Sequence, residues 1–153
     1  MADLTTLCYI EKDASYLMLH RVSKKNDLNK DKWIGVGGHF EFGESPEECI
    51  SREILEETGL TANKLNFRGI VTFVSDDDIT EYMHLFTCDD FSGEMKDCNE
   101  GKLEWVPVSA IEKLNLWEGD KLFLRELSEN KGFFSLKLVY QDGNLVNSKL
   151  IRY

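Results

Sequence analysis

Short apolar stretches, rich in β-branched and aromatic residues, recur along the chain in pairs with a polar break inside each pair. The paired stretches span residues 4–10 and 16–22, 67–74 and 80–88, and 133–140 and 145–151. Each pair predicts a β-hairpin. The last is the strongest, because its break contains Asp142-Gly143, a dipeptide suited to a tight hairpin turn. The acidic break at 75–78 is most simply the turn of the second hairpin.

The rest of the chain supplies fewer elements. Residues 23–32 are a polar loop, and the glycines at 35–38 predict a turn behind Trp33. A short strand is predicted at 103–108, and helical spacing at 120–127. No repeat or linker interrupts the sequence. The pattern therefore predicts one α+β domain over residues 1–153.

A second helix is defined by its ends. Ser45-Pro46-Glu47-Glu48 is a capping box with proline at the first helical position, and Gly59 provides a left-handed stop. The helix is therefore predicted over residues 46–58. At about 100° per residue, Glu53, Glu56 and Glu57 fall within an arc of about 100° on one face.

These carboxylates can be explained in two ways. Charge runs usually form a solvated face, but like charges three and four residues apart repel, and no lysine alternates with them. Clustered carboxylate oxygens are also the ligands that Mg²⁺ and Mn²⁺ prefer. The helix face therefore favours a metal site over a plain acidic surface.

The charge composition limits the kinds of partner that the chain is expected to bind. Eighteen basic and 28 acidic residues give a net charge of −10, and residues 38–60 alone hold seven acids and one base. Duplex nucleic acid is disfavoured as a partner, whereas a small phosphorylated ligand bound through a divalent cation is compatible. We expect no membrane span and no secretory signal. Four cysteines without CxxC spacing favour reduced thiols and a cytoplasmic location.

The spacing of the acidic region resembles a known motif. Gly38, five residues, Glu44, seven residues and the segment 52–60 (REILEETGL) match the 23-residue Nudix box at every fixed position. The resemblance to Nudix hydrolases implies an α/β/α sandwich with a mixed β-sheet. It also implies hydrolysis of nucleoside diphosphates linked to another moiety, with Mg²⁺ or alternatively Mn²⁺ as the cofactor.

The resemblance also implies roles for individual residues. Glu53, Glu56 and Glu57 would bind the metal, and the carbonyl of Gly37 would join them. Arg52 and Glu44 resemble the pair that braces the loop against the helix. Glu100 resembles a distal acid that reaches the metal site. The general base is one of the box glutamates or Glu100.

Outside the box, residues 4–130 resemble MutT-type enzymes, which act on oxidised purine nucleotides. The segments 33–38 and 103–107 are similar to theirs. Trp117 and Asp120 resemble a tryptophan and an acid that stack on and hydrogen-bond the purine, although a core tryptophan and a helix-start acid are the ordinary alternatives. Arg21 is a candidate phosphate contact or a solvated strand end. His39, beside the metal loop, is a candidate substrate contact or an ordinary surface residue.

Two departures leave the substrate open. Ile34 stands where an asparagine reads the base edge in the vertebrate-like branch, and His39 stands where lysine is common. The first expectation is hydrolysis of a nucleoside triphosphate, such as 8-oxo-dGTP, to monophosphate and pyrophosphate. The alternatives are ADP-ribose, a dinucleotide or a 5′-triphosphate RNA end as substrate, or nucleotide binding without catalysis. A monomer and a homodimer are equally compatible with the sequence.

Overall fold

The computed structural model describes residues 2–22 and 25–153, and the elements named below belong to that part of the chain. In chain order they are β1 (Ala2–Lys12), β2 (Ser15–His20), β3 (Trp33–Ile34), β4 (Val36–His39), α1 (Pro46–Thr58), β5 (Thr61–Val74), β6 (Thr80–Ser92), β7 (Lys102–Pro107), a 3-10 helix (Val108–Lys113), α2 (Glu118–Glu129), β8 (Phe134–Gln141) and β9 (Asn144–Arg152).

The main sheet is mixed. Its strands lie in the order β4–β1–β6–β5–β8–β9, with β1 parallel to β6, β5 parallel to β8 and the other neighbours antiparallel. β2 leaves the end of β1 and pairs with β3 and β7 on its two sides. This small extension carries the segments on which several of the predicted site residues lie.

One helix covers each face of the main sheet, and successive residues of β1 show how. Leu7 and Tyr9 lie in a core cluster with α2, which contributes Phe123. Cys8 and Ile10 belong to the opposite cluster, with Ile54 of α1. Successive side chains of a strand point to opposite faces of the sheet. Because both faces of β1 are covered, its buried residues form a continuous apolar run in the sequence. The predicted α+β sandwich with a mixed sheet is confirmed.

The hairpin predictions have different outcomes. The second and third hairpins form, as β5–β6 and β8–β9. Asp142 and Gly143 have φ values of 52° and 77°, as the tight turn requires. The first prediction was wrong in extent, because β1 and β2 pair only at two positions beside their turn. The rest of β1 pairs instead with β4 and β6, where both of its apolar faces are covered.

The predicted glycine-rich turn at 35–38 was also wrong, because residues 36–39 form β4 beside β1. Glycine is required there for close approach. A Cβ on Gly37 would lie 2.0 Å from the carbonyl oxygen of Thr6, and one on Gly38 would lie 2.6 Å from the carboxyl carbon of Glu53. The glycines therefore let a strand lie against both its neighbour and α1, instead of reversing the chain.

Other expectations have a direct structural counterpart. The 75–78 segment is a turn, and all four cysteines are free thiols. Of the predicted polar loop, residues 23 and 24 lie outside the described residues, and 25–32 form turns. No helix among the described residues is long and apolar enough to cross a membrane.

Candidate active site

The helix that bears the box glutamates has the predicted ends. Ser45 Oγ accepts a hydrogen bond from the Glu48 N–H at 3.1 Å, and the Ser45 N–H donates to Glu48 Oε1 at 2.9 Å. Gly59 adopts a φ of 81° after the last turn. Because these contacts fix both ends locally, α1 spans Pro46–Thr58 as the sequence predicts.

Arg52 organises the exposed side of the site. Its Nε and Nη2 atoms donate to the two carboxylate oxygens of Glu44 at 2.7 and 3.0 Å, the two-bond pairing that the sequence predicts. Its Nη1 donates to Glu53 at 2.7 Å and to Glu56 at 3.2 Å, and Nη2 also reaches the carbonyl of His39. The Arg52 hydrogen bonds lower the pKa of Glu44 to about 2.

Glu57 and Glu53 point inward toward β4. Glu57 is only 8% exposed, and its Oε2 accepts a hydrogen bond from the Gly37 N–H at 3.0 Å. The Glu53 carboxylate lies against Gly38, and burial raises its pKa. Gly37 thus contacts the acidic cluster through its N–H, and ligation through its carbonyl stays a prediction.

Glu100 joins the box glutamates from a separate part of the chain. It lies in the tight turn closed by the Cys98–Gly101 bridge, and its Oε2 accepts from Arg21 Nη1 at 3.0 Å. Burial, followed by the hydrogen bond and charge of Glu100, raises the pKa of Glu57 well above its usual range. Glu57 and Glu100 therefore lie close enough for Glu100 to disfavour the ionised form of Glu57. We call Glu44, Arg52, Glu53, Glu56, Glu57 and Glu100 the carboxylate cluster.

The donor set of the carboxylate cluster fits a hard divalent cation. Burial and the charges of neighbouring carboxylates, Glu100 among them, raise the pKa values of Glu53 and Glu57, and a bound cation would relieve both effects. Within residues 2–22 and 25–153, no three acidic, histidine or cysteine side chains stand in a ready-made ligand arrangement. Arg52 provides a reason, since it holds Glu53 and draws Glu56 away.

Glu56 differs from its two neighbours on the helix. Its side chain is 58% exposed and contacts Arg52, whereas Glu53 is 14% exposed. The three glutamates of the predicted arc therefore differ in exposure, with Glu57 and Glu53 inside and Glu56 at the rim. A ligand role for Glu56 stays a prediction that requires its side chain to turn inward from Arg52.

Trp117 and Asp120 form a second group at the start of α2, which we call the aromatic pocket together with Lys32 and Tyr140. Lys32 Nζ lies 4.8 Å from the centroid of the Trp117 ring, and Tyr140 meets that ring edge-on at 5.9 Å. The Tyr140 hydroxyl accepts a hydrogen bond from the Gly119 N–H at 2.7 Å. Two aromatic rings and a cation therefore surround the end of the helix.

Asp120 is a buried acid inside this pocket. It is 5% exposed, and burial, together with the charge of Glu81, raises its pKa to about 8, against an opposing effect from Lys32. Asp120 therefore carries a proton for much of the time near neutral pH and can both donate and accept hydrogen bonds. The simple helix-start role that competes with a ligand role would leave the carboxylate solvated.

The other two predicted substrate contacts, Arg21 and His39, differ in how exposed their side chains are. Arg21 contacts Glu100 and Asp27 with a side chain only 13% exposed, so it is not a solvated strand end, and phosphate binding stays a prediction. The His39 side chain is exposed at the end of β4. His84 makes a structural contact, with Nδ1 3.0 Å from the carbonyl oxygen of Thr5.

Sequence reasoning missed several contacts around the pocket. Asn29 Oδ1 accepts from Trp117 Nε1 at 2.7 Å, and Lys32 Nζ donates to Asn115 at 3.1 Å. The polar loop 23–32 carries turn-forming residues, but nothing in its composition indicates which distant side chain each would contact.

Comparisons with known proteins agree with this geometry. A zebrafish (Danio rerio) protein described as an oxidized purine nucleoside triphosphate hydrolase is 30% identical over 112 residues, covering 72% of this chain and 71% of that protein. An ADP-ribose pyrophosphatase of Methanocaldococcus jannaschii is 33% identical over 107 residues, covering 69% and 62%. The crystal structure of a mutator MutT protein from Bacillus halodurans matches with a TM-score of 0.86 at 27% identity, covering 97% of each chain.

The family assignment follows from the extent of the match. The family model described as the NUDIX domain matches residues 1–127. This range includes the carboxylate cluster and, at the start of α2, Trp117 and Asp120. Of the acids of the motif, Glu53 and Glu57 lie inside against β4, and Glu56 lies at the exposed rim. The chain belongs to the NUDIX domain family and is a Nudix hydrolase.

Proposed function

We propose that this chain hydrolyses a nucleoside triphosphate to a nucleoside monophosphate and pyrophosphate in a Mg²⁺-dependent reaction, with an oxidised purine such as 8-oxo-dGTP as the preferred substrate. The observation that carries the proposal is the pair of sites, an acidic cluster with the raised pKa of Glu57 and an aromatic pocket with the buried acid Asp120. The zebrafish relative acts, by its description, on the same class of substrate.

In this proposal the carboxylate cluster holds the cation. Glu53, Glu57 and Glu100 would be its inner ligands, with Glu56 and the Gly37 carbonyl as additional ones, and Mn²⁺ could replace Mg²⁺. A divalent cation bound there supplies positive charge to the phosphate oxygens and makes the attacking water more acidic. Arg52 and Glu44 would keep the loop against the helix, and Glu56 would have to turn inward from Arg52 to bind the cation.

The aromatic pocket would select the base. The Trp117 ring offers a stacking surface, and Asp120, protonated much of the time, presents both a donor and an acceptor. An oxidised purine differs from its parent in the hydrogen-bonding groups at its edge, so a pocket acid with both capacities can discriminate between them. Arg21 and His39 would lie toward the phosphates.

A second candidate is hydrolysis of ADP-ribose, with a dinucleotide or a 5′-triphosphate RNA end as related options. Two observations favour it, the ADP-ribose pyrophosphatase relative and the apolar Ile34 in β3. Ile34 offers no hydrogen bond to a base edge, and its half-buried side chain leaves less base selectivity than an amide would. A nucleotide-binding module without catalysis is disfavoured because every acid of the motif is present. We place the activity in the cytoplasm, where four free thiols would persist.

The deciding experiment is product analysis of the purified protein with Mg²⁺ and either dGTP or 8-oxo-dGTP. Monophosphate and pyrophosphate are quantified in parallel reactions that contain EDTA in place of the metal. We expect metal-dependent release of both products and a clear preference in kcat/KM for the oxidised nucleotide.

Two results would contradict the proposal. Slow and equal turnover of both nucleotides, with faster cleavage of ADP-ribose in the same assay, would move the assignment to the second candidate. Tight nucleotide binding without any product under Mg²⁺ or Mn²⁺ would instead indicate a binding module.

A further inference from the structure

Residues 25–32 form a polar segment that lies between the carboxylate cluster and the aromatic pocket. The segment is closed at its base, since the Arg21 N–H donates to the Lys32 carbonyl at 3.0 Å and the Asp31 N–H donates to the Arg21 carbonyl at 2.8 Å. Next to these hydrogen bonds, His20 of β2 pairs with Trp33 of β3. These two hydrogen bonds anchor the Asp31–Lys32 end of the segment to Arg21.

On one side the segment reaches the carboxylate cluster. Arg21 Nη1 donates to Glu100 at 3.0 Å, and Arg21 Nε donates to Asp27 Oδ2 at 2.6 Å. The side chains of Arg21 and Asp27 are only 13% and 7% exposed. Water screens such a pair weakly, so a change in the position of Asp27 is transmitted to Arg21 and from there to Glu100.

On the other side the same aspartate reaches the aromatic pocket. Asp27 Oδ1 accepts a hydrogen bond from the Asn29 N–H at 3.0 Å, and Asn29 Oδ1 accepts from Trp117 Nε1 at 2.7 Å. A continuous series of hydrogen bonds thus runs from Glu100 through Arg21, Asp27 and Asn29 to Trp117. Glu100 and Trp117 are 17 residues apart in sequence, yet the link between them uses a different part of the chain.

We propose that Asp27 and Asn29 are positioning residues that couple occupation of the aromatic pocket to the placement of Glu100. This inference rests on the proposed function and deepens it. A base that stacks on Trp117 fixes the indole, and the indole fixes Asn29 and Asp27. Arg21 then holds Glu100 in its working position. Base recognition therefore contributes to kcat as well as to KM, because binding energy at the base orders the reacting end.

The first test uses the indole N–H groups as reporters. The chain has three tryptophans, so a ¹⁵N-labelled sample gives three indole resonances, and the Trp117→Phe variant identifies that of Trp117. We expect Glu100→Gln to shift the Trp117 resonance, and Glu94→Gln, a change at an exposed carboxylate in the preceding loop, to leave it in place. In an Asn29→Ala background, Glu100→Gln should no longer move it.

The inference is overturned if Glu100→Gln leaves the Trp117 resonance unmoved in the otherwise unmodified protein. It is also overturned if the shift is equally large in the Asn29→Ala background. Asp27→Asn provides a second variant of unchanged size that weakens the pairing with Arg21, and it should reduce the shift without removing the acceptor for the Asn29 N–H.

Kinetics provide the second test. Asn29→Ala should lower kcat for the preferred nucleotide between about 2- and 30-fold, the range expected for residues along such a network. Asn29→Asp keeps an acceptor oxygen for Trp117 and should restore most of kcat. A change in KM alone, or no rescue by aspartate, contradicts the coupling. The resonance test needs no turnover. If the protein is inactive but Glu100→Gln still shifts the Trp117 resonance, only the proposed function is contradicted. If the protein is active but the resonance does not move, only this inference is contradicted.

Discussion

The carboxylate cluster and the aromatic pocket are built in different ways. Five of the six residues of the cluster come from the 14 positions between Glu44 and Glu57, and a capped helix sets the spacing of the four that follow Glu44. The pocket gathers Lys32, Trp117, Asp120 and Tyr140 from three separate parts of the chain. A local motif therefore fixes most of the groups proposed to bind the metal, whereas the groups proposed to choose the substrate depend on the whole fold.

The two regions also handle buried charge differently. Arg52 neutralises much of the cluster directly, with hydrogen bonds to three glutamates. Asp120 has no such partner among the contacts of the described residues, and Lys32 acts on it only through its charge. Arg52 therefore favours the ionised form of Glu44, whereas burial favours the protonated forms of Glu57 and Asp120.

The largest expected effect tests the cluster. Glu57→Gln keeps the acceptor for the Gly37 N–H and removes only the carboxylate charge, so the fold should persist. We expect kcat/KM for the preferred nucleotide to fall by about 100-fold or more. Steady-state assays with Mg²⁺ measure this loss, and Glu47→Gln, an exposed acid in the first turn of the same helix, is the matched control. Full activity of Glu57→Gln would refute the assignment.

The next effect tests the close approach of β4 to β1. Gly37→Ala places a Cβ 2.0 Å from the Thr6 carbonyl oxygen, so the strands must separate. We expect the free energy of unfolding to fall at or beyond the upper end of the about 1–3 kcal/mol typical of overpacking. Urea denaturation measures the loss. Gly43→Ala, whose added methyl group meets open space but whose φ is 79°, isolates the cost of backbone strain.

A pH-dependent effect on stability separates the pocket from the cluster. The pKa of Asp120 is raised in the folded state to about 8, so the folded protein binds this proton more tightly than the unfolded chain does. The stability that this provides is complete below about pH 4 and is lost as pH rises toward 8. We expect Asp120→Asn to gain stability relative to the unmodified protein over that interval.

The gain should not exceed about 1.4 kcal/mol for each pH unit, the limit for one proton. Chemical denaturation of both proteins at a series of pH values between 4 and 8 measures the difference. Parallel stability curves for the two proteins would show that Asp120 ionises in the fold as easily as in the unfolded chain.

The smallest effect compares the two helices. Ser45→Ala removes the side-chain cap of α1 and should lower the free energy of unfolding by about 1 kcal/mol. α2 begins at Trp117 without any side-chain cap, so its start depends on tertiary contacts such as the Gly119–Tyr140 hydrogen bond. Ser51→Ala, on the exposed side of α1, is the control and should be neutral or slightly stabilising. An equal loss for both serines would contradict the role of the cap.

What the sequence predicts well is local. The ends of α1, the turn at Asp142-Gly143 and the pairing of Arg52 with Glu44 all depend on residues close together along the chain. The predicted turn at 35–38 failed because glycine has two uses, reversal of the chain and close approach, and only the position of Thr6 and Glu53 distinguishes them. The partners of Asn29 and Lys32 depend on α2 and the 115–117 segment, which local patterns do not indicate.

The parallel pairing of β1 with β6 has a consequence for how this protein is made. Thr6 lies opposite His84, so the sheet that supports β4 and α1 needs a strand that a ribosome synthesises almost 80 residues later. β5 and β8 repeat this arrangement, with Val71 opposite Leu136. Contacts of such long sequence separation slow folding, because the chain must lose the entropy of closing a large loop before the strand pairing stabilises it. The motif that identifies the family is therefore synthesised before β6, and the sheet that supports it can form only after residues 80–92 have followed.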